Sequence, residues 1–203
     1  MTYNEYTWDK LLQINTIGRD DTNSDEYRYP YEPTPYCVLE RVADSGLICT
    51  GDTVLDYGCG KGRVGFFLSY CTKSDTVGIE YDERIFRTAL ENKATADPQT
   101  KTEFIFGCAE EYEVPTQVNR CYFFNPFSVE ILRGVVARIL DSYYASPREI
   151  LLLFYYPSDE YVGYLMTVEE LEFFDEIECG DLFGGDNERE RILIFELPGY
   201  VAE

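Results

Sequence analysis

The chain has 203 residues, 45% of them hydrophobic, and carries 38 acidic against 17 basic side chains, a formal net charge of −21. That length and apolar content suit one domain with a full core, while the charge disfavours nucleic acid, because affinity for a phosphate backbone rests on neutralising it. There is no histidine and no Cys-x-x-Cys pair among the seven cysteines, which removes Ser-His and Cys-His nucleophile pairs and disfavours a zinc site.

The cysteines (37, 49, 59, 71, 108, 121 and 179) are scattered and read as reduced, mostly buried thiols. The first five residues lack the basic start and apolar stretch of a secretory signal. The longest apolar run, 150–156, is far too short to span a bilayer. The expectation is a soluble, cytoplasmic protein with no membrane partner, its acid surplus serving solubility.

Residues 6–14 suit a short amphipathic helix, and 18–26 form a polar loop. The tyrosine- and proline-rich run 27–36 follows, whose prolines forbid a regular helix until the last of them. Thr34 and Pro35 fit the N-cap and first position of a helix running to Asp44, with Gly46 closing it. From Asp52 onward, strand and helix alternate. Strands are expected at 54–57, 76–80, 103–106, 121–125 and 150–155. Helices are expected at 63–70, at 83–93 with Ile85, Ala89 and Leu90 on one face, and at 129–143. The last has Ile131, Leu132, Val135, Val136, Ile139 and Leu140 as its core stripe. This alternation predicts a parallel, doubly wound sheet, with the uninterrupted apolar strand 150–155 near its centre.

The C-terminal part changes character. Thr167 and Glu170 fit the capping box of a short helix. Residues 174–183 and 189–197 read as two final strands joined by a turn at Gly184, Gly185, Asp186 and Asn187, an antiparallel hairpin at the edge of the sheet.

The densest information lies at Asp56-Tyr57-Gly58-Cys59-Gly60-Lys61-Gly62, a buried strand running into a glycine-rich turn that opens a helix. Alternate glycines let backbone turn tightly and approach a ligand, and the helix start behind them offers unpaired N–H groups. Glu80 ends the second strand, where an acid can accept both hydroxyls of a ribose. Asn125-Pro126-Phe127 closes the fourth. A dinucleotide fingerprint needs glycine three residues after the second one; Arg63 stands there, which counts against a pyrophosphate site and against an NAD or nucleotide-sugar enzyme. Lys61 and Arg63 read as solvent-facing, and Phe123 and Phe124 as core.

These residues together resemble the class I S-adenosylmethionine-dependent methyltransferases, over roughly residues 34–197. The resemblance implies a mostly parallel seven-stranded sheet ending in an antiparallel hairpin, with S-adenosylmethionine as cofactor. It implies Asp56, Gly58, Cys59, Gly60 and Gly62 beneath the methionine part, Glu80 on the ribose and Tyr81 beside the adenine. After the third strand Cys108 aligns with an acid of the family, so Glu110 or the Ala109 backbone would take that contact. Thr34 is either a helix cap or a further cofactor contact. Asn125, Pro126 and Phe127 resemble, with one proline missing, the motif with which some members hold a planar amino group, and they are the candidate catalytic residues. Residues 1–33 would form an N-terminal extension, its Tyr27, Tyr29 and Tyr31 closing over the site as a lid, and residues 34–203 the cofactor-binding domain. The expected activity is methyl transfer to a small-molecule or protein acceptor. The alternative is a non-catalytic cofactor-binding protein serving as a sensor or assembly partner.

Overall fold

The computed structural model describes residues 5–185 and 187–199. Asp186 of the expected hairpin turn, and residues 1–4 and 200–203, lie outside them. The elements run α1 (Glu5–Leu12), α2 (Tyr36–Asp44), β1 (Thr53–Tyr57), α3 (Arg63–Thr72), β2 (Asp75–Glu80), α4 (Glu83–Thr95), β3 (Thr102–Phe106), β4 (Arg120–Phe123), α5 (Val129–Ala145), β5 (Ile150–Tyr155), α6 (Asp159–Leu165), β6 (Glu172–Glu178) and β7 (Arg191–Leu197).

The strands form one seven-stranded sheet in the order β3-β2-β1-β4-β5-β7-β6. The first five pair in parallel; β7 runs antiparallel to both β5 and β6. Strand order reverses between β1 and β4, where crevices for ligands form beyond the carboxyl ends. Alternate residues of each strand feed two cores. On one face Leu55, Phe123, Leu152 and Phe154 meet Leu132, Val135 and Ile139 of α5. On the other, Val54, Tyr122, Leu151 and Leu153 meet α2, α3 and the Trp8–Ile14 stretch. Each aliphatic side chain fully withdrawn from water here stabilises by about 1.5–3 kcal/mol, which is why the expected α5 stripe orients that helix. Residues 5–33 thus share the core of the rest of the chain: Trp8 lies edge-on to Phe67 at 4.7 Å.

The structure corrects several expectations. Pro35, not Thr34, is the N-cap of α2, and no side chain of its own segment caps it. Instead Glu5 reaches across from α1 and accepts the Tyr36 N–H at 3.0 Å. Residues 167–170 form no helix. The short helix is α6, upstream, where Ser158 caps by accepting from the Tyr161 N–H. Strand β4 stops at Phe123 because Asn125 turns the chain at φ 40°, and β6 stops at Glu178, before a turn of 3-10 helix over Gly180–Leu182. Leu90 is 42% exposed. The inward position on α4 belongs instead to Asn92, whose side chain donates to the Lys61 and Asn15 carbonyls. Phe124 is only half-buried.

The largest correction concerns Arg63, which is buried, not solvent-facing. Its guanidinium donates to Thr16 Oγ1 at 2.7 Å and to the Thr34 carbonyl at 3.1 Å, and pairs with Glu5. Its other nitrogen lies 3.9 Å from Asp9, and it stacks 4.3 Å above the Tyr36 ring. The first residue of α3 therefore fastens the N-terminal segment to the sheet.

Candidate active site

The tips of β1, β2 and β4 surround a cavity under the N-terminal segment. Leaving β1, Gly58 and Cys59 both donate their N–H to the Ile79 carbonyl at 3.0 Å, and Gly62 donates to the Cys59 carbonyl. This knot holds the turn against β2. Gly58, Gly60 and Gly62 all have positive φ (70°, 56° and 89°), so the turn suits only glycine there.

What lies against the glycines differs from the expectation of a bare ligand cradle. A Cβ on Gly58 would sit 2.5 Å from Pro126, and one on Gly62 would sit 2.4 Å from the Phe104 ring. At Gly60 it would fall 2.2 Å from the ring of Tyr31. Gly58 lines the cavity, whereas Gly60 and Gly62 are not among its lining residues. Cys59 also lines it, although its sulfur side packs onto Gly78. Gly60→Ala is therefore expected to cost about 2–4 kcal/mol, combining the left-handed backbone with overpacking. It should also free the Tyr31 segment for proteolysis; a thermal midpoint and cleavage pattern equal to wild type would exclude this packing.

Two carboxylates stand at the cavity floor. Glu80, 5% exposed, accepts the Gly60 N–H on one oxygen and the Asp82 N–H on the other, each at 2.9 Å. Burial pushes its pKa up to about 7 against the pull of those bonds. Asp56, 3% exposed, has one carboxylate oxygen buried without a hydrogen-bond partner. Burial, then the charge of Glu80, pushes its pKa up to about 8. An orphaned, buried acceptor is costly unless something donates to it or neutralises it.

Segment 20–34 crosses above. Antiparallel bridges join Asp20 to Tyr31 and Arg28 to Phe127. Tyr29 donates its N–H to the Pro126 carbonyl, and Ser128 donates to Tyr27. At the β2 tip, Asn23 donates to Asp82 at 2.9 Å and Tyr81 donates its hydroxyl to the Asn23 carbonyl at 2.8 Å. Tyr29 and Tyr31 line the cavity, as does Thr34; Tyr27 does not. Thr34 is 2% exposed, its hydroxyl meeting that of Tyr122 at 3.4 Å. Tyr81 carries the Arg28 guanidinium 4.9 Å above its ring.

Past β3, Ala109 opens a turn of 3-10 helix and lines the cavity together with Glu110. Glu110 pairs with Arg28 at 3.1 Å, and Cys108 faces the same arginine at 3.9 Å. Pro126 and Phe127 also line the cavity, whereas Asn125 lines a second cleft beside it. Phe127 is 5% exposed, its ring edge-on to Phe123 at 6.4 Å. Sequence reasoning missed Asp20, Asn23 and Arg28; the first two carried only the signal of a polar loop, and Arg28 stood among the tyrosines of the expected lid.

Among the described residues no cluster of metal-binding type occurs and no helix is long and apolar enough to cross a membrane.

No protein-family model matches the chain, and no curated protein matches it. Solved structures do. An RNA methyltransferase from Salinibacter ruber, in complex with S-adenosyl-L-homocysteine, superposes with a TM-score of 0.56 at 19% identity, covering 85% of this chain and 97% of its own. The glycopeptide N-methyltransferase MtfA, complexed with S-adenosyl-L-methionine, gives 0.61 at 10% identity over 89% and 91%. A TehB-like S-adenosylmethionine-dependent methyltransferase from Corynebacterium glutamicum gives 0.57 at 17% identity over 80% and 88%. This chain has the class I methyltransferase fold. In this methyltransferase fold the parallel first five strands, the reversed β7 and the glycine turn are the features that the sequence led one to expect.

Proposed function

We propose that the protein is an S-adenosylmethionine-dependent methyltransferase acting on a small-molecule or protein acceptor. The observation that carries the reading is the buried carboxylate pair at the glycine turn, Asp56 with its orphaned oxygen and Glu80 at the β2 tip. A cationic ligand would neutralise the first, and vicinal hydroxyls would use the lone pairs that Glu80 keeps after its two backbone bonds. The residues present therefore fit an adenosyl sulfonium. Glu80 would hold the ribose, Tyr81 and Ala109 would flank the base, and Asp56 with Gly58 would face the methionine part.

When bound, this cofactor supplies an electrophilic methyl group. Transfer of that group is a displacement that depends on alignment and on exclusion of water more than on a strong base, which suits a chain without histidine. Tyr29, Tyr31 and Thr34 would roof the site against solvent.

Calorimetry with S-adenosylhomocysteine tests the reading: micromolar affinity is expected, and a folded sample that evolves no heat refutes it. Glu80→Gln keeps the side-chain shape and is expected to weaken binding by about 1–3 kcal/mol through loss of the charged acceptor. An unchanged affinity would move the ribose elsewhere. Tight binding without methyl transfer to any acceptor would select the non-catalytic alternative.

A further inference from the structure

Segment 20–34 sends one cation into the first cavity. Arg28 shares the lining of that cavity with Tyr81, Ala109 and Glu110. Its guanidinium lies 4.9 Å from the centre of the Tyr81 ring. One terminal nitrogen, Nη2, donates to Glu110 Oε1 at 3.1 Å and faces the Cys108 sulfur at 3.9 Å. The proposed function sets the base of the cofactor against Tyr81 and Ala109, so Arg28 stands where that base would stand.

A guanidinium and an adenine make the same demands on such a place. Both are flat and lie well on an aromatic face. Both carry an amino group that donates to a carboxylate. The space over Tyr81 holds only one of them. A base inserted between the guanidinium and the ring needs a separation of about 7 Å, two carbon contacts of roughly 3.5 Å each, and the distance found is 4.9 Å.

The backbone at Arg28 is fixed. Asp25 Oδ1 accepts the Tyr27 and Arg28 N–H groups, each at 2.7 Å, and the Asp25 N–H donates to the Arg28 carbonyl at 2.9 Å. On the other side Arg28 bridges to Phe127, between the Tyr29 to Pro126 and Ser128 to Tyr27 bonds. With the chain pinned on both sides, rotation of its own side chain is the easy way out for the guanidinium. Its hold in the cavity is modest. The pair with Glu110 leaves the two side chains 24% and 28% exposed, and ion pairs that touch water contribute little and are screened by salt.

We propose that Arg28 is an internal competitor for the adenine position: its guanidinium occupies the Tyr81 face and the Glu110 carboxylate in the free protein, and the base enters only as that side chain swings out. The proposal rests on the reading of the first cavity as the cofactor site. The amino group of adenine then takes the place of Nη2 at Glu110. This contact sets the affinity for cofactor and product below what the cavity alone would give, which speeds release of the product. Because the competitor is held by an ion pair, salt loosens it and favours the ligand.

Calorimetry with S-adenosylhomocysteine, a net-neutral zwitterion, tests it. Arg28→Met should bind this ligand about three- to tenfold more tightly than wild type, the range expected for removing one part-exposed ion pair and one cation–π contact. Wild-type affinity should rise between about 50 mM and about 500 mM salt, while that of Arg28→Met stays flat. The wild-type salt series stands by itself even if the variant fails to fold. In NMR spectra the Arg28 Nε–H resonance, identified by its absence from Arg28→Met, should carry the ring-current shift of Tyr81 in the free protein and lose it on saturation with the ligand. Weaker or unchanged binding by Arg28→Met, a wild-type affinity that is flat or falls with salt, or a resonance that saturation leaves in place overturns the proposal. Each of those results includes measured binding, so the cofactor reading survives them. Absence of binding to both proteins refutes the cofactor reading and this proposal together.

Discussion

Arg63→Met is expected to lower folding stability by about 3–5 kcal/mol, because it leaves a buried carboxylate without its counter-charge. Against a typical total of about 5–15 kcal/mol, that is the largest effect of any single substitution foreseen here. Asp9 is 5% exposed and accepts from the Thr16 N–H, the Thr16 hydroxyl and the Tyr36 hydroxyl at 2.6–2.7 Å. Arg63 is the only cation that faces it among the described ion pairs. Removing Arg63 also releases the Thr16 hydroxyl, the Thr34 carbonyl and Glu5 at once, so the N-terminal segment should detach from α3. A fall in the urea midpoint at unchanged slope is the expected result. Arg63→Lys should recover only part of the loss, since an ammonium cannot span partners held by a planar fork. A midpoint within experimental error of wild type would mean that the Asp9 network stands without the arginine.

The second large effect is a proton coupling at the proposed cofactor site. Asp56 and Glu80 have pKa values pushed up to about 8 and about 7, so near neutral pH these carboxyls hold protons that a sulfonium cation would displace. Binding of S-adenosylmethionine is therefore expected to release protons and to tighten as pH rises from 6 to 8, approaching tenfold per pH unit where one proton is fully displaced. Calorimetry in buffers of different ionisation enthalpy measures the release directly. S-adenosylhomocysteine, which lacks the cationic centre, should show a weaker dependence. Asp56→Asn should flatten the profile for the cation and reduce its preference over the neutral product. A pH-independent affinity would show that neither carboxyl changes protonation on binding. Stability of the free protein should move the opposite way. A carboxyl whose pKa is raised by folding binds its proton more tightly in the native state, so the free protein loses stability as pH rises from the ordinary carboxylate range through these values. Asp56→Asn should raise the thermal midpoint at pH 8, where the wild type carries a desolvated charge.

Local pattern determined what depends on local periodicity. The β1 to α3 turn, the alternation that produces β2 to β5, and the α5 stripe were legible because burial on a sheet face or helix face imposes spacings of two or 3.6 residues. The seven strands and the reversed last one followed, as did the positions of Asp56, Glu80 and Ala109 at strand tips. Tertiary structure decided the rest. Glu5 caps α2 from a distant helix, so Thr34, a sound cap by sequence, is left free to line the cavity. Arg63 reads as a surface residue because charged side chains are seldom buried unless paired, and its partners Asp9 and Thr16 lie far away in sequence. The glycines were read as making room for a ligand, whereas Tyr31, Pro126 and Phe104 occupy much of that room. The left-handed conformations of Asn125 and Tyr156, just past the tips of β4 and β5, have no sequence signature, since they arise where both chains turn away from the sheet. Spacing along a chain reports which face a residue takes; which other residue meets it there depends on how the faces are brought together.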